Sequence, residues 1–199
     1  MIRAVLLRLL GDRRGATIVE FALVLPALLL TLMGLFDLTY NMYTAQMLQG
    51  AIQNAARMST LEGSVQNASN IDAVVSRAVH AVSAGATLSF NRTAYASFSA
   101  VARPEDYTDV DGDGTCDNGE PYEDANGNGK WDADSGTSGF GGARDAVLYS
   151  VTVNYQRAFP VATLIPGMSN TVQMTATTVL RNQPYSLQNA AATATGNCT

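Results

Sequence analysis

The chain is poor in the residues that do acid–base and nucleophilic chemistry: its 199 residues hold one histidine, one lysine and two cysteines. The histidine, His80, has no second histidine with which to share a metal, and it falls off the apolar stripe of its own segment, so it reads as a solvated surface residue. No Ser–His–Asp or Cys–His set assembles around it. The lysine, Lys130, stands in a Gly-rich stretch filled with aspartates, where a phosphate cradle needs bare backbone amides. Basic residues are scarce overall, 12 against 17 acidic. Four of them (Arg3, Arg8, Arg13 and Arg14) precede Gly15 together with Asp12, a net of +3, so the total of −5 leaves −8 beyond Gly15, or 8 basic against 16 acidic residues. That balance excludes a nucleic-acid partner, because phosphate contacts need a basic patch. Neither enzyme activity nor a small-molecule substrate is expected.

What the chain does have is one long apolar run. From Ala16 to Phe36 it is broken only by Glu20, Pro26 and small polar positions. As a helix this run is about 31 Å long, matching a hydrocarbon core of about 30 Å. A secretory signal has an apolar core of only about 7–15 residues, and it carries no carboxylate there. A plain signal anchor explains the length but neither Gly15 nor Glu20. The arginines before the run and Asp37 after it put the N-terminus in the cytoplasm and residues 38–199 outside. Glu20 is costly in such a segment, about 2.5–3.5 kcal/mol at the centre and less near an end. An α-ammonium created by cutting after Gly15 would offset it.

Arg13-Arg14-Gly15, then Ala16-Thr17-Ile18-Val19-Glu20-Phe21 and Pro26 inside a Leu-rich run, resembles the start of TadE-like proteins. These are the minor pilins, or pseudopilins, of tight-adherence (Tad/Flp) type IV pilus systems. The likeness covers Arg13 to Met58. It implies cleavage between Gly15 and Ala16 by a prepilin peptidase, and an assembly role for Glu20 and Phe21. Phe21 departs from major Flp pilins, which usually carry tyrosine after the glutamate and are far shorter. The resemblance implies a single-pass protein of the bacterial inner membrane, N-terminus cytoplasmic and C-terminal domain periplasmic, or a place on a surface pilus. Its implied partners are the membrane, other pilin and pseudopilin subunits, and the peptidase.

The expected organisation is a leader over 1–15, a transmembrane helix over 16–37, an exported pilin-like α+β domain over 38–182 and a loose tail over 183–199. The helix continues over Leu38–Glu62 with a stripe of Tyr40, Tyr43, Met47, Ala51, Asn54, Met58 and Leu61, and Gly63 is a stop. A second helix is expected over Asn70–Ala84, with Ser69 and Asp72 at capping-box spacing and Ile71, Val74, Val75, Ala78, Val79 and Val82 on one face. Thr87–Asn91, Ala94–Ala102, Val147–Tyr155 and Thr171–Arg181 read as strands of a small antiparallel sheet. Phe159–Gly167, broken by Pro160 and Pro166, reads as a covered loop.

Between the strands lies an acidic insertion over 105–142. Glu105 to Asp134 holds eleven acidic residues and Lys130. Asp109-Val110-Asp111-Gly112-Asp113-Gly114, followed five residues on by Glu120, fits the calcium-loop pattern without a mismatch. Calcium wants six to eight oxygens. The expected ligands are Asp109, Asp111, Asp113, the Thr115 carbonyl, Asp117 through a water, and Glu120 as the two-oxygen clamp. Fifteen residues later the pattern returns as Asp124, Asn126, Asn128, Lys130 (by its carbonyl) and Asp132. Its twelfth position is Ser135, so Asp134 or Glu123 has to substitute and the second site is weaker. The calcium serves to stiffen an exposed insertion. Both cysteines lie on the oxidising side, which permits a Cys116–Cys198 disulfide or pairing between subunits. Two functional readings follow: a processed minor pilin of a Tad-type system, or a membrane-tethered, calcium-binding adhesion module.

Overall fold

The computed structural model describes residues 14–59, 68–142, 145–181 and 194–199. The leader through Arg13, the expected stop at Leu61–Gly63 and residues 182–193 of the tail lie outside them. The protein is α+β, with a long N-terminal apolar helix, further short helices and a small antiparallel sheet. The chain forms two compact units, Met1–Tyr43 with Gln156–Val172, and Thr44–Tyr155 with Gln173–Thr199.

Helix α1 (Arg14–Ser59) is 46 residues long and runs unbroken through Pro26. One helix among the described residues, Thr17–Met58, is long and apolar enough to cross a membrane. Thr31 and Thr39 donate their hydroxyls to the carbonyls of Ala27 and Leu35, both at 2.8 Å, so neither needs water. In the first unit α1 is accompanied by a loop containing α3 (Val161–Leu164). Phe159 stacks on Phe36 at 6.0 Å, and Arg157 pairs with the buried Asp37. That loop differs from expectation: Leu164 and Ile165 are exposed, not covered.

In the second unit α1 buries Thr44, Leu48, Ala51, Ile52 and Ala55. The expected stripe shares only Ala51 with this face, and Tyr43 and Met58 are exposed. Apolar residues cover a wide arc of this segment, so spacing alone admits two neighbouring stripes, and packing selects the smaller-residue one. Helix α2 (Ala68–His80) buries Ile71, Val75 and Val79. It starts before Ser69 and ends before Ala84. Its Asp72 does not cap: the carboxylate accepts bonds from Arg92 (2.5 Å) and the Tyr149 hydroxyl (2.6 Å), tying α2 to the sheet. His80 is exposed, its Nε2 3.0 Å from the Ala86 carbonyl.

The four-stranded sheet has the order β3–β1–β4–β5, built from β1 (Thr87–Tyr95), β3 (Thr137–Ser138), β4 (Ala146–Gln156) and β5 (Thr171–Arg181). Strand β4 follows its alternation: Val147, Tyr149, Val151, Val153 and Tyr155 are all buried. Each such aliphatic burial stabilises by about 1.5–3 kcal/mol. It pairs antiparallel with β1 from Thr87↔Asn154 to Tyr95↔Ala146. The expected strand at Ala94–Ala102 is absent. Its first two residues finish β1, and a 3₁₀ turn at Phe98–Ala100 leads into the insertion. A separate two-stranded sheet pairs β2 (Pro121–Asp124) with β6 (Ala194–Asn197), so the end of the tail is a strand and not loose.

Candidate metal centre and N-terminal helix

Both Gly-rich segments fold the same way, and the hydrogen bonds show why. In the first loop Asp109 accepts from the amides of Gly112 (2.6 Å) and Gly114 (3.0 Å). In the second, Asp124 accepts from those of Gly127 (2.7 Å) and Gly129 (2.8 Å). Asp111 and Asp113 take the amides two residues on, at 3.3 and 2.8 Å. Asn126 and Asn128 repeat this at 3.0 and 2.8 Å. The turns need left-handed backbone at Gly112 and Gly114, φ +79° and +80°, and again at Gly127 and Gly129, φ +74° and +78°. Glycine occupies that region without steric cost.

The first loop gathers the expected carboxylates. Oxygens of Asp109, Asp111 and Glu120 lie within 4.8 Å of one another, as do those of Asp111, Asp113 and Asp117. Oxygens sharing a calcium at about 2.3–2.6 Å can be no more than about 5 Å apart. Thr115 follows in sequence, its hydroxyl and amide both on Asp113 at 2.5 and 2.8 Å. Those bonds hold the Asp113 carboxyl below the usual carboxylate range. Asp117 is pushed the other way, by desolvation first and then by Asp113, Asp111 and Glu120. Its Oδ1 is buried and makes no hydrogen bond. An all-oxygen donor set with one orphaned buried oxygen fits a hard cation such as calcium, which would supply the missing partner.

Glu120 is buried and does two things at once. Its Oε1 accepts from Val110 N at 2.5 Å, and its Oε2 from Asp117 N at 3.4 Å, the second and ninth positions of its loop. The second loop has the same arrangement with a different glutamate. Glu105, only 2% exposed, accepts from Ala125 N (2.8 Å) on Oε1 and from Asp132 N (3.1 Å) on Oε2, again the second and ninth positions. Of the substitutes expected from sequence, Asp134 accepts from Tyr95 (3.2 Å) and Gly136 (3.1 Å), and Glu123 is exposed on β2. Sequence reasoning did not single out Glu105 because it precedes the loop whose amides it accepts, while the pattern looks only at residues that follow. The signal lay in burial, which a sequence does not display.

The second loop is the less acidic. Asp132 accepts the side-chain amides of Asn126 (2.8 Å) and Asn128 (2.5 Å), which keep its carboxyl below the ordinary range. Lys130 is exposed and contributes only backbone to the turn. Trp131 donates its ring N–H to the Glu105 carbonyl at 2.9 Å and meets Tyr107 edge-on at 5.6 Å. The insertion therefore has a small core of its own. Cys116 and Cys198 are joined as a disulfide, Cα atoms 5.5 Å apart, beside the paired backbones of Cys198 with Gly119 and Glu120.

At the other end of the chain, Gly15 and Ala16 lie in the first turns of α1, and Glu20 and Phe21 are exposed on it. The features together define a class, a chain with one N-terminal candidate membrane helix leading into α+β structure. Residues 15–57, from Gly15 to the last turns of α1, match the TadE-like protein family. No curated protein and no solved structure matches the chain.

Proposed function

We propose that the protein is a minor pilin, or pseudopilin, of a Tad/Flp-type pilus assembly or secretion system. The observation that carries this reading is the coincidence of the family match, 15–57, with α1. It begins at the glycine after which a prepilin peptidase would cut. Cleavage between Gly15 and Ala16 leaves the apolar helix attached as membrane anchor and assembly surface. Glu20, on the exposed apolar helix, then meets the new α-ammonium of Ala16 on a neighbouring subunit. Residues 38–199 lie on the periplasmic side, and no catalytic role is assigned to them.

Within this reading the insertion is a calcium-stiffened projection. Asp109, Asp111, Asp113, Thr115, Asp117 and Glu120 hold one ion. Asp124, Asn126, Asn128, the Lys130 carbonyl, Asp132 and Glu105 hold a second. Extracellular modules of this kind bind at about 10⁻⁴–10⁻³ M. The ions relieve repulsion among the carboxylates and fix the projection, a task with no demand for sensing.

The test of the assembly role is Glu20→Ala. The variant should insert and be cut normally yet fail to enter pili, measured as its loss from sheared filaments relative to the membrane fraction. Wild-type recovery in filaments would leave Glu20 with no intersubunit role. It would then be only a local partner of its own helix N-terminus.

A further inference from the structure

We propose that the loop from Phe159 to Met168 is a membrane contact, lying in the outer headgroup layer of the bilayer that α1 crosses. This rests on the reading of α1 as a membrane span. Measured along the helix, Ala16–Phe36 fills about 31 Å, so Phe36 stands at the outer edge of a hydrocarbon core of about 30 Å. Phe159 stacks on that residue, 6.0 Å between ring centres and 25° from parallel. One residue further along α1, Asp37 pairs with Arg157, and Asn41 donates to the same carboxylate oxygen at 3.0 Å. The loop is thereby fixed beside the helix at the height of the membrane surface.

Its side chains suit that height. Leu164, Ile165 and Met168 are 51%, 44% and 37% exposed, and Leu35 and Phe36 on α1 are bare as well. Between Ala158 and Val172 there is no charged residue.

The backbone suits it as well. A backbone segment that approaches the hydrocarbon edge pays less desolvation when its polar groups bond one another. Val161 N donates to Phe159 O, Ile165 N to Val161 O and Met168 N to Ile165 O, at 2.8–3.3 Å. Thr163 gives its hydroxyl to Pro160 O at 2.6 Å. Pro160 and Pro166 carry no N–H to satisfy. At the base, Arg157 closes the loop through its amide on Asn170 O and its Nε on Ser169 O, both at 2.9 Å. A closed, uncharged, apolar loop held at the surface of a membrane-crossing helix has the lipid interface as its natural cover.

The test is tryptophan fluorescence of the full chain in phosphatidylcholine–phosphatidylglycerol vesicles, with Trp131 of the parent protein as background. Leu164→Trp and Ile165→Trp are the probes, Leu28→Trp reports on α1, and Val110→Trp is the water-exposed control. The added emission of both loop probes should be blue-shifted and quenched by lipids brominated near the headgroup, while Val110→Trp is reached only by aqueous iodide. Red-shifted loop emission quenched by iodide, with Leu28→Trp quenched by deep-brominated lipid, would overturn the loop contact and leave the span intact. Blue-shifted loop emission reached by neither quencher would mean cover by another subunit, and would also overturn it. Failure of Leu28→Trp to be quenched by any lipid would remove the span itself, and the loop contact with it.

Discussion

Glu105 and Glu120 are the residues on which the two acidic loops turn. Each is buried and each closes its loop by accepting from the second and ninth amides. Calorimetry on detergent-solubilised protein should find two calcium sites, one weakened by Glu120→Gln and the other by Glu105→Gln. Each change should weaken its own site by roughly ten- to a hundred-fold, the loss of about 1.5–3 kcal/mol expected for one charged contact. A single site indifferent to Glu105 would refute its role as a clamp.

Asp72 gives a second residue-scale prediction. Tyr149 donates to it, and Arg92 lies 4.5 Å above the Tyr149 ring. Burial first, then Asp72, pushes the Tyr149 phenol well above its ordinary value. The neutral phenol is thus favoured in the folded state. Its contribution is complete below the unfolded value of about 10 and is lost as pH rises towards the raised folded value. Alkaline unfolding followed by circular dichroism should start near there, and Tyr149→Phe should flatten the pH dependence. An unchanged alkaline limb would exclude Tyr149 as the titrating group.

At the scale of elements, β6 carries the clearest consequence. Gly196 lies opposite Tyr122, and any Cβ there would collide with the Tyr122 ring. The Cys116–Cys198 bridge spans 82 residues. Closing a loop of that size is worth up to about 4–5 kcal/mol in the chain-entropy model. Cys198→Ser should release β6 from β2, seen as faster proteolysis between Pro121 and Asp124 and a lower melting temperature, with β4 unaffected. Peptide mapping without reductant should recover Cys116 joined to Cys198, and two free thiols in exported protein would refute the bridge.

The elements also show what could be read from sequence. Strand β4 was legible because one residue in two had to be buried, and β5 because its residues are β-branched. The calcium-loop spacing was legible because every one of its positions is local. The face of α1 was not, since its apolar arc is wide enough for two stripes and only the packing partner selects Leu48, Ile52 and Ala55. The tail strand was hidden for a related reason: Ala194–Asn197 has no periodicity, and its pairing comes from a segment far away in sequence. Glu105, placed ahead of the loop it closes, belongs with these long-range cases.

At the scale of the whole molecule, the account joins an apolar helix, similar over 15–57 to TadE-like proteins, to an acidic α+β region. The proposed orientation rests on the arginines ahead of the apolar run. Its central claim is that the chain is cut after Gly15 to expose the end of that helix for assembly. Intact-mass and N-terminal analysis of the protein from membranes of cells that assemble pili tests this directly. The account predicts a mature chain beginning at Ala16, and a chain still carrying Met1–Gly15 in those cells would contradict it.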